Sequence, residues 1–223
     1  MRTIHTITSA NTKAMMEQLR DLMVAYGGVV DSEAITGSST DYFLMSFPTL
    51  NPGHQFKFYL SSGNYYIGCC RLGSTTTFVW STGISTTRLI NTIEIIVITG
   101  NDLLVFMSRS GSSYDYLHFI IAPFSEGMQV SLSGLTAKYL DDTVYSLSTF
   151  GYNYDAKTED GKIYLTPVLL FVSGEAYYRD TYSLSYIFHG ANISPGVRMG
   201  DFVEDELNYY FWLGSSLYCA LAK

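Results

Sequence analysis

The side chains of this sequence that could do chemistry are few and scattered: His5, His54, His118 and His189; Cys69, Cys70 and Cys219; and the acidic groups Asp141–Asp142, Glu159–Asp160 and Asp201, Glu204, Asp205, Glu206. Histidine titrates near neutral pH and serves as an acid, a base or a metal ligand. None of the four has a second histidine or a cysteine at ligand spacing. His118 falls inside the apolar run YDYLHFIIA, where a hydrogen-bonded side chain in or beside a core is the plainer reading. Cys69 and Cys70 are adjacent in strand-like sequence and point to opposite faces, so they neither share a metal nor bridge each other. Cys219 reads as an apolar core residue. An odd thiol count of this kind makes no disulfide framework and suits synthesis in a reducing compartment.

Two convergent carboxylates suffice for glycoside hydrolysis. The three acidic groups, however, lie in turn-like sequence, and charge runs usually mark solvated surface. The segment DAKTEDG only sketches the alternating acids of a calcium loop. No Gly-x-Ser-x-Gly elbow, P-loop or dinucleotide fingerprint occurs. The expectation is therefore no catalytic residue, no metal and no cofactor. What remains is aromatic: Tyr65–Tyr66, Tyr177–Tyr178 and Tyr209–Tyr210–Phe211–Trp212. Such groups stack on sugar rings or anchor protein contacts, although consecutive aromatics of a strand first fill both sides of a sheet. The exposed members of Tyr177, Tyr178, Tyr209, Tyr210 and Trp212 are the candidate interface residues. A receptor- or glycan-binding module is the alternative.

These residues need elements to hold them, and the pattern supplies mostly strands. A strand over Thr3–Ile7 precedes one helix, which Asn11 or Thr12 can cap. Its apolar stripe is Met15, Met16, Leu19, Leu22, Met23 and Tyr26, and Gly27–Gly28 stops it. Hairpins are predicted for Gln55–Ser61 with Asn64–Leu72 across Ser62–Gly63, and for Thr92–Thr99 with Asp102–Ser108 across the two residues Gly100–Asn101. Tyr114–Ala122 extends the second into a meander. Later strands fall at Met128–Leu132, Val144–Phe150, Ile163–Val172, Tyr182–His189, Leu207–Leu213 and Leu217–Ala222, while Asn153–Lys162 reads as an exposed turn. The predicted fold is mainly β, an antiparallel β-sandwich or barrel with one N-terminal amphipathic α-helix packed on it. With no linker composition anywhere, residues 1–223 read as one domain, with strand and helix over about 1–28 and a hairpin-rich body over about 29–223.

Composition bears on partners. Of 223 residues, 47% are hydrophobic and only 15% charged, against a typical charged share of about 25%. Some apolar surface is thus expected to meet another protein, and the 19 tyrosines suit half-buried strands and contacts. The net charge of −7 and the scattering of 13 Lys and Arg give no footprint for direct nucleic-acid binding. No apolar leader follows Arg2 and no run is long enough to span a bilayer, so no membrane association is expected.

In layout the chain resembles virion proteins of tailed bacteriophages, those of tails, baseplates and head–tail connectors. The resemblance is carried by NTKAMMEQLRDLMVAYGG, FYLSSGNYYIGCCRL, VITGNDLLVFMSRSGSSYDYLHFIIAPF and YFWLGSSLYCALAK. It differs after Phe119, where Ile120, Ile121, Ala122 and Pro123 stand in place of a glycine. The resemblance implies a structural subunit made in the host cytoplasm and located in the virion, without enzymatic residues. Its partners would be other virion proteins and further copies of itself.

Overall fold

A computed structural model describes residues 1–71, 78–79, 84–86, 90–100, 104–109, 118–121, 129–131, 136–138, 144–149, 157–159, 162–164, 166–172, 183–189, 200–214 and 217–223. The chain forms two compact units, one over Arg2–Asp142 and one over Thr143–Lys223, the latter also including Met1.

The first unit opens with β1 (Arg2–Ser9) and α1 (Thr12–Ala25). Asn11 is extended and its side chain accepts from the Ala14 amide at 2.9 Å, satisfying one of the free donors of the first turn. At the other end Gly28 N donates to Met23 O and Gly27 N to Val24 O, the paired closure of a Schellman motif. Gly27 takes φ +90, a conformation that side chains disfavour. Gly28 is required for space, because a Cβ there would overlap Met45 Sδ and come within 2.9 Å of Met23 O. The helix buries Met15, Met16, Leu19 and Met23 completely, each stabilising by roughly 1.5–3 kcal/mol relative to exposure.

Beyond the helix run β2 (Val29–Ala34), β3 (Tyr42–Phe47), β4 (Asn51–Ser61), β5 (Asn64–Arg71) and the short β6 (Phe78–Val79), adjacent in that order. The two-residue strand β7 (Ile84–Ser85) also pairs with β5. The β4–β5 pair closes at Ser61 opposite Asn64 with Ser62 and Gly63 both at positive φ, the hairpin turn that the sequence predicts. A second sheet has the order β1, β8 (Asn91–Thr99), β9 (Leu104–Arg109), β10 (His118–Ile121). Strand β1 pairs with β8 along its whole length, Arg2 with Ile98 through Ser9 with Asn91. The β8–β9 pair sets Thr99 opposite Leu104, a register that excludes the two-residue turn at Gly100–Asn101, which would set Thr99 opposite Asp102. Ile93, Ile95, Val97, Leu104 and Phe106 face a core shared with α1 and with Phe43, Met45, Phe56, Phe58 and Ile67 of the first sheet. Ile96, Ile98, Val105 and Met107, on the opposite face, are equally buried. Two antiparallel sheets and one helix thus enclose one core, a β-sandwich with an N-terminal amphipathic helix packed on it. A short hairpin, β11 (Gln129–Ser131) with β12 (Thr136–Lys138), also belongs to this unit.

In the second unit β13 (Val144–Thr149), β16 (Thr166–Val172), β17 (Ser183–His189), β20 (Leu217–Ala222), β19 (Asn208–Gly214) and β18 (Phe202–Glu204) are hydrogen-bonded in that order. The polar segment expected as an exposed turn contains a hairpin, β14 (Lys157–Glu159) with β15 (Lys162–Tyr164). Its Asp160–Gly161 dipeptide, a strong hairpin signal, lies between the closing pair Glu159 and Lys162.

Candidate functional site

The residues with chemistry in their side chains are not brought together where they are described. His5 on β1 places Nε2 2.7 Å from the Tyr26 hydroxyl, with the rings edge to face at 5.6 Å. Tyr26 in turn meets Phe106 edge-on, so the pair pins the end of α1 to the sheet. Backbone positions put His54 on β4, His118 on β10 and His189 on β17; their side chains lie outside the described atoms, as do those of Cys69 and Cys70 on β5. Cys219 on β20 is fully buried, and burial pushes its thiol up to about 12. Thiolate chemistry is closed to it at neutral pH. Asp141, Asp142, Asp160, Tyr177 and Tyr178 lie outside the described residues. Among the described residues no group of three His, Cys, Asp or Glu could hold a metal ion, and no helix is long and apolar enough to cross a membrane.

Asp205 corrects the reading of its acidic neighbourhood as solvated loop charge. It is buried. Its Oδ1 accepts from the amides of Leu207 at 2.9 Å and Asn208 at 2.8 Å, and its Oδ2 from the Ile163 amide at 3.1 Å and the Tyr210 hydroxyl at 2.9 Å. Burial works to raise its pKa, but the three backbone amides and the phenol together hold it at about 2. This carboxylate organises the β18–β19 turn and ties the β14–β15 hairpin to it. Asp41 does the same for the Thr36–Ser38 loop: burial opposes ionisation, and the amides of Thr36, Gly37 and Ser38 with the Thr36 hydroxyl lower its pKa. Both acids are structural anions with their lone pairs already used.

The aromatic cluster at the end of the chain divides by face. Register places Phe202, Phe211 and Cys219 in one cross-strand row and Glu204, Tyr209 and Leu221 in the next, with Val203, Tyr210 and Ala220 on the opposite face. Tyr210 is buried, donating to Asp205 and accepting from Asn208 Nδ2. Its place is inside the chain. Tyr209 and Trp212 are half-buried. Phe202 stands edge-on to Tyr209 at 5.5 Å, and Lys223 Nζ, paired with Glu204 at 2.8 Å, lies 5.0 Å from the Tyr209 ring centre. Phe202 is 41% exposed and Leu207, in the following turn, 62%. β18 ends its sheet, as β1 and β2 end theirs. Ile4 on β1 is 40% exposed and Val29 on β2 is 49% exposed. Among the described residues, every exposed large apolar side chain of a strand therefore sits on a terminal strand.

A second aromatic row crosses the first sheet on the face away from its core. Tyr42, Tyr59 and Tyr66 are direct cross-strand partners on β3, β4 and β5, and all three are half-buried. The Tyr59 and Tyr66 rings stack at 5.4 Å, 18° from parallel. Lys57, one row along, holds its ammonium 5.2 Å from the Tyr42 ring centre and 5.4 Å from that of Tyr59. The Tyr42 hydroxyl lies 3.1 Å from Ser32 Oγ.

Compared with models of protein families, with curated proteins and with solved structures, the chain matches none.

Proposed function

We propose that this protein is a structural subunit of a phage virion that docks to like and unlike subunits in the tail, baseplate or connector, and that it works by contact rather than by chemistry. The observation that carries the reading is the placement of Ile4, Val29 and Phe202, exposed apolar residues confined to terminal strands. A strand at the end of a sheet offers unpaired amides and carbonyls to another chain, and monomeric proteins usually blunt such edges with charge or proline. Charges stand on these strands too, Asp31 and Glu33 on β2 and Glu204 on β18, but each edge also exposes one apolar side chain, beside aromatics at Phe202, and such anchors suit strand addition across a subunit contact. Low charge, abundant tyrosine and the resemblance in sequence layout to tailed-phage virion proteins support the same reading. Copies joined through two different edges make heterologous contacts, which close into rings when the rotation permits.

The test has two arms. The unmodified chain is expected to associate with rising concentration in sedimentation velocity, and placing lysine at Ile4, Val29 and Phe202 is expected to remove that association while leaving the far-ultraviolet spectrum unchanged. An unmodified chain that stays monomeric through the millimolar range, or lysine variants that associate equally well, would defeat the docking reading. Peptides of this protein are expected in purified virions at fixed stoichiometry to other structural proteins, and their absence there would defeat the virion assignment.

A further inference from the structure

We infer that β1 is the contact of a twofold dimer, in which it pairs antiparallel with β1 of a second copy about Ile4. The inference deepens the docking reading and rests on it, naming the occupant of one terminal strand. Of the three terminal strands with an exposed apolar side chain, β1 alone lacks the usual protections of an edge. β2 carries Asp31 and Glu33, and its pairing with β3 shifts between Val30 and Ser32. β18 is three residues long, Glu204 among them. β1 runs eight residues, holds neither proline nor carboxylate, and keeps one unbroken register with β8. At its far end Gln18 Nε2 donates to the Thr8 carbonyl at 3.0 Å, which leaves Arg2 to Thr6 as the stretch to be paired.

That the occupant is a second copy follows from what this stretch presents. His5 and Ile7 lie on the face that meets Tyr26 and the core. Ile4 lies on the other face beside its partner Ile96, which is fully buried while Ile4 is 40% exposed. Side chains alternate between faces, so in a sheet continued across two copies even-numbered residues meet even-numbered ones. Pairing about Ile4 sets Ile4 against its own equivalent, Arg2 against Thr6 and Thr3 against His5 of the second copy. Ile96 and Ile4 then meet their equivalents in one apolar row across the joint, and directly opposite apolar pairs stabilise a sheet. Charge agrees. Thr6 is flanked on β8 by Glu94, so Arg2 of the second copy lies two strand spacings, about 10 Å, from Glu94 with only a short side chain between them. Arg2 and Glu94 each interact within their own chain as well, and the twofold repeats their attraction at both ends of the contact. Moving the axis to Thr3 sets Arg2 against Ile4, and moving it to His5 sets Arg2 against the Thr8 that Gln18 already holds. The two four-stranded sheets become one, and the contact is isologous.

The experiment is sedimentation velocity of the full chain and of two variants, Ile4→Lys and Ile4→Glu, each alone and the two mixed in equal amounts. Each variant alone loses the isoleucine contact and sets like charges directly opposite, and is expected to raise the dissociation constant of the dimer about tenfold. Because Ile4 meets its own equivalent, the mixture is expected to dimerise more tightly than either variant alone, lysine now facing glutamate. Native mass spectrometry with one variant isotope-labelled identifies the heterodimer. Melting curves report whether each variant folds, and Thr6→Arg, at an exposed position opposite Arg2 of the second copy, decides the matter if either of the others does not; it is expected to weaken the dimer about threefold. The inference is overturned, with the docking reading intact, if the unmodified chain associates and Ile4→Lys or Thr6→Arg associates equally well. It is likewise overturned if the mixture is no tighter than its components, the mark of another occupant of β1. A chain that stays monomeric through the millimolar range overturns both readings.

Discussion

Asp205→Asn perturbs one buried anion whose partners are all known. In the aspartate, Oδ1 serves the Leu207 and Asn208 amides and Oδ2 serves the Ile163 amide and the Tyr210 hydroxyl. An asparagine that keeps its oxygen on the turn amides turns its NH2 toward Ile163 N. The Tyr210 hydroxyl can rotate and accept, but the Ile163 donor has nothing to meet. Stranding this part-buried donor costs about 1 kcal/mol, the low end for a lost partner, and the retained bonds lose charge assistance worth a similar amount or slightly more, so a total of about 2–3 kcal/mol is expected at neutral pH. With a urea slope of about 1–3 kcal/mol/M, the midpoint should fall by about 1–2 M. Trp212 reports on this unit, and a Trp80→Phe background leaves it as the only tryptophan. The pH dependence gives a second handle. The folded pKa of about 2 lies below the ordinary 3.8, so the stability contributed by ionised Asp205 is complete above the unfolded value and is lost as pH falls through the folded one. The gap between aspartate and asparagine proteins should therefore be full at pH 7 and narrow steadily from about pH 4 toward pH 2. An unchanged midpoint at pH 7, or a gap that does not narrow in acid, would refute the role assigned to this carboxylate.

Three further outcomes are expected. Leu19→Asp puts an unpaired carboxylate into a fully buried position and should unfold the first unit at 25 °C, read by loss of the cooperative thermal transition; a well-folded variant would contradict the packing of α1. Tyr65 Oη is buried with no hydrogen-bond partner among the described residues, so Tyr65→Phe should raise stability by about 1 kcal/mol in urea titration, and a loss of stability would mean that the hydroxyl is satisfied. Gly28→Ala forces a methyl between Met45 and the Met23 carbonyl and should cost about 1–3 kcal/mol, whereas an unchanged midpoint would show that the Met45 side chain yields freely.

Local periodicity made the helix legible: the Met15–Tyr26 stripe and the Gly27–Gly28 stop correspond to the buried face and the Schellman closure. The Ser62–Gly63 turn and the apolar run of β8 were readable for the same reason, because both are encoded within a few residues. Strand β3 escaped notice. Its sequence YFLMSF alternates in burial but not in polarity, since tyrosine and leucine occupy the half-buried positions, and period-two reasoning needs a polar partner set. The two-residue turn expected at Gly100–Asn101 does not form: Thr99 pairs with Leu104 and not with Asp102, a shift of two residues that keeps every side chain on its face, so the apolar pattern of these strands does not distinguish the two registers. Asp205 could not be read as buried from its neighbours: the donors that compensate it include Ile163, 42 residues away. The row Tyr42–Tyr59–Tyr66 was equally hidden. Only Tyr66 stood out, beside Tyr65, and these two point to opposite faces; the residues that share its row come from other strands and appear only once the pairing is known.

The pairing of β1 with β8 also has a consequence for the ribosome. Thr8 and its partner Thr92 are 84 residues apart, so at translation rates of about 5–20 residues per second the first strand waits roughly 4 to 17 s for its mate. Meanwhile β2 to β5, each next to its neighbour in the chain, can close their hairpins on microsecond to millisecond scales. During that interval a nascent chain holds out an eight-residue strand, with Ile4 and Ile7 unshielded, to whatever else is being made nearby. Slowing elongation across residues 60–90 should therefore increase co-translational aggregation, and a chaperone that binds short apolar segments should suppress it.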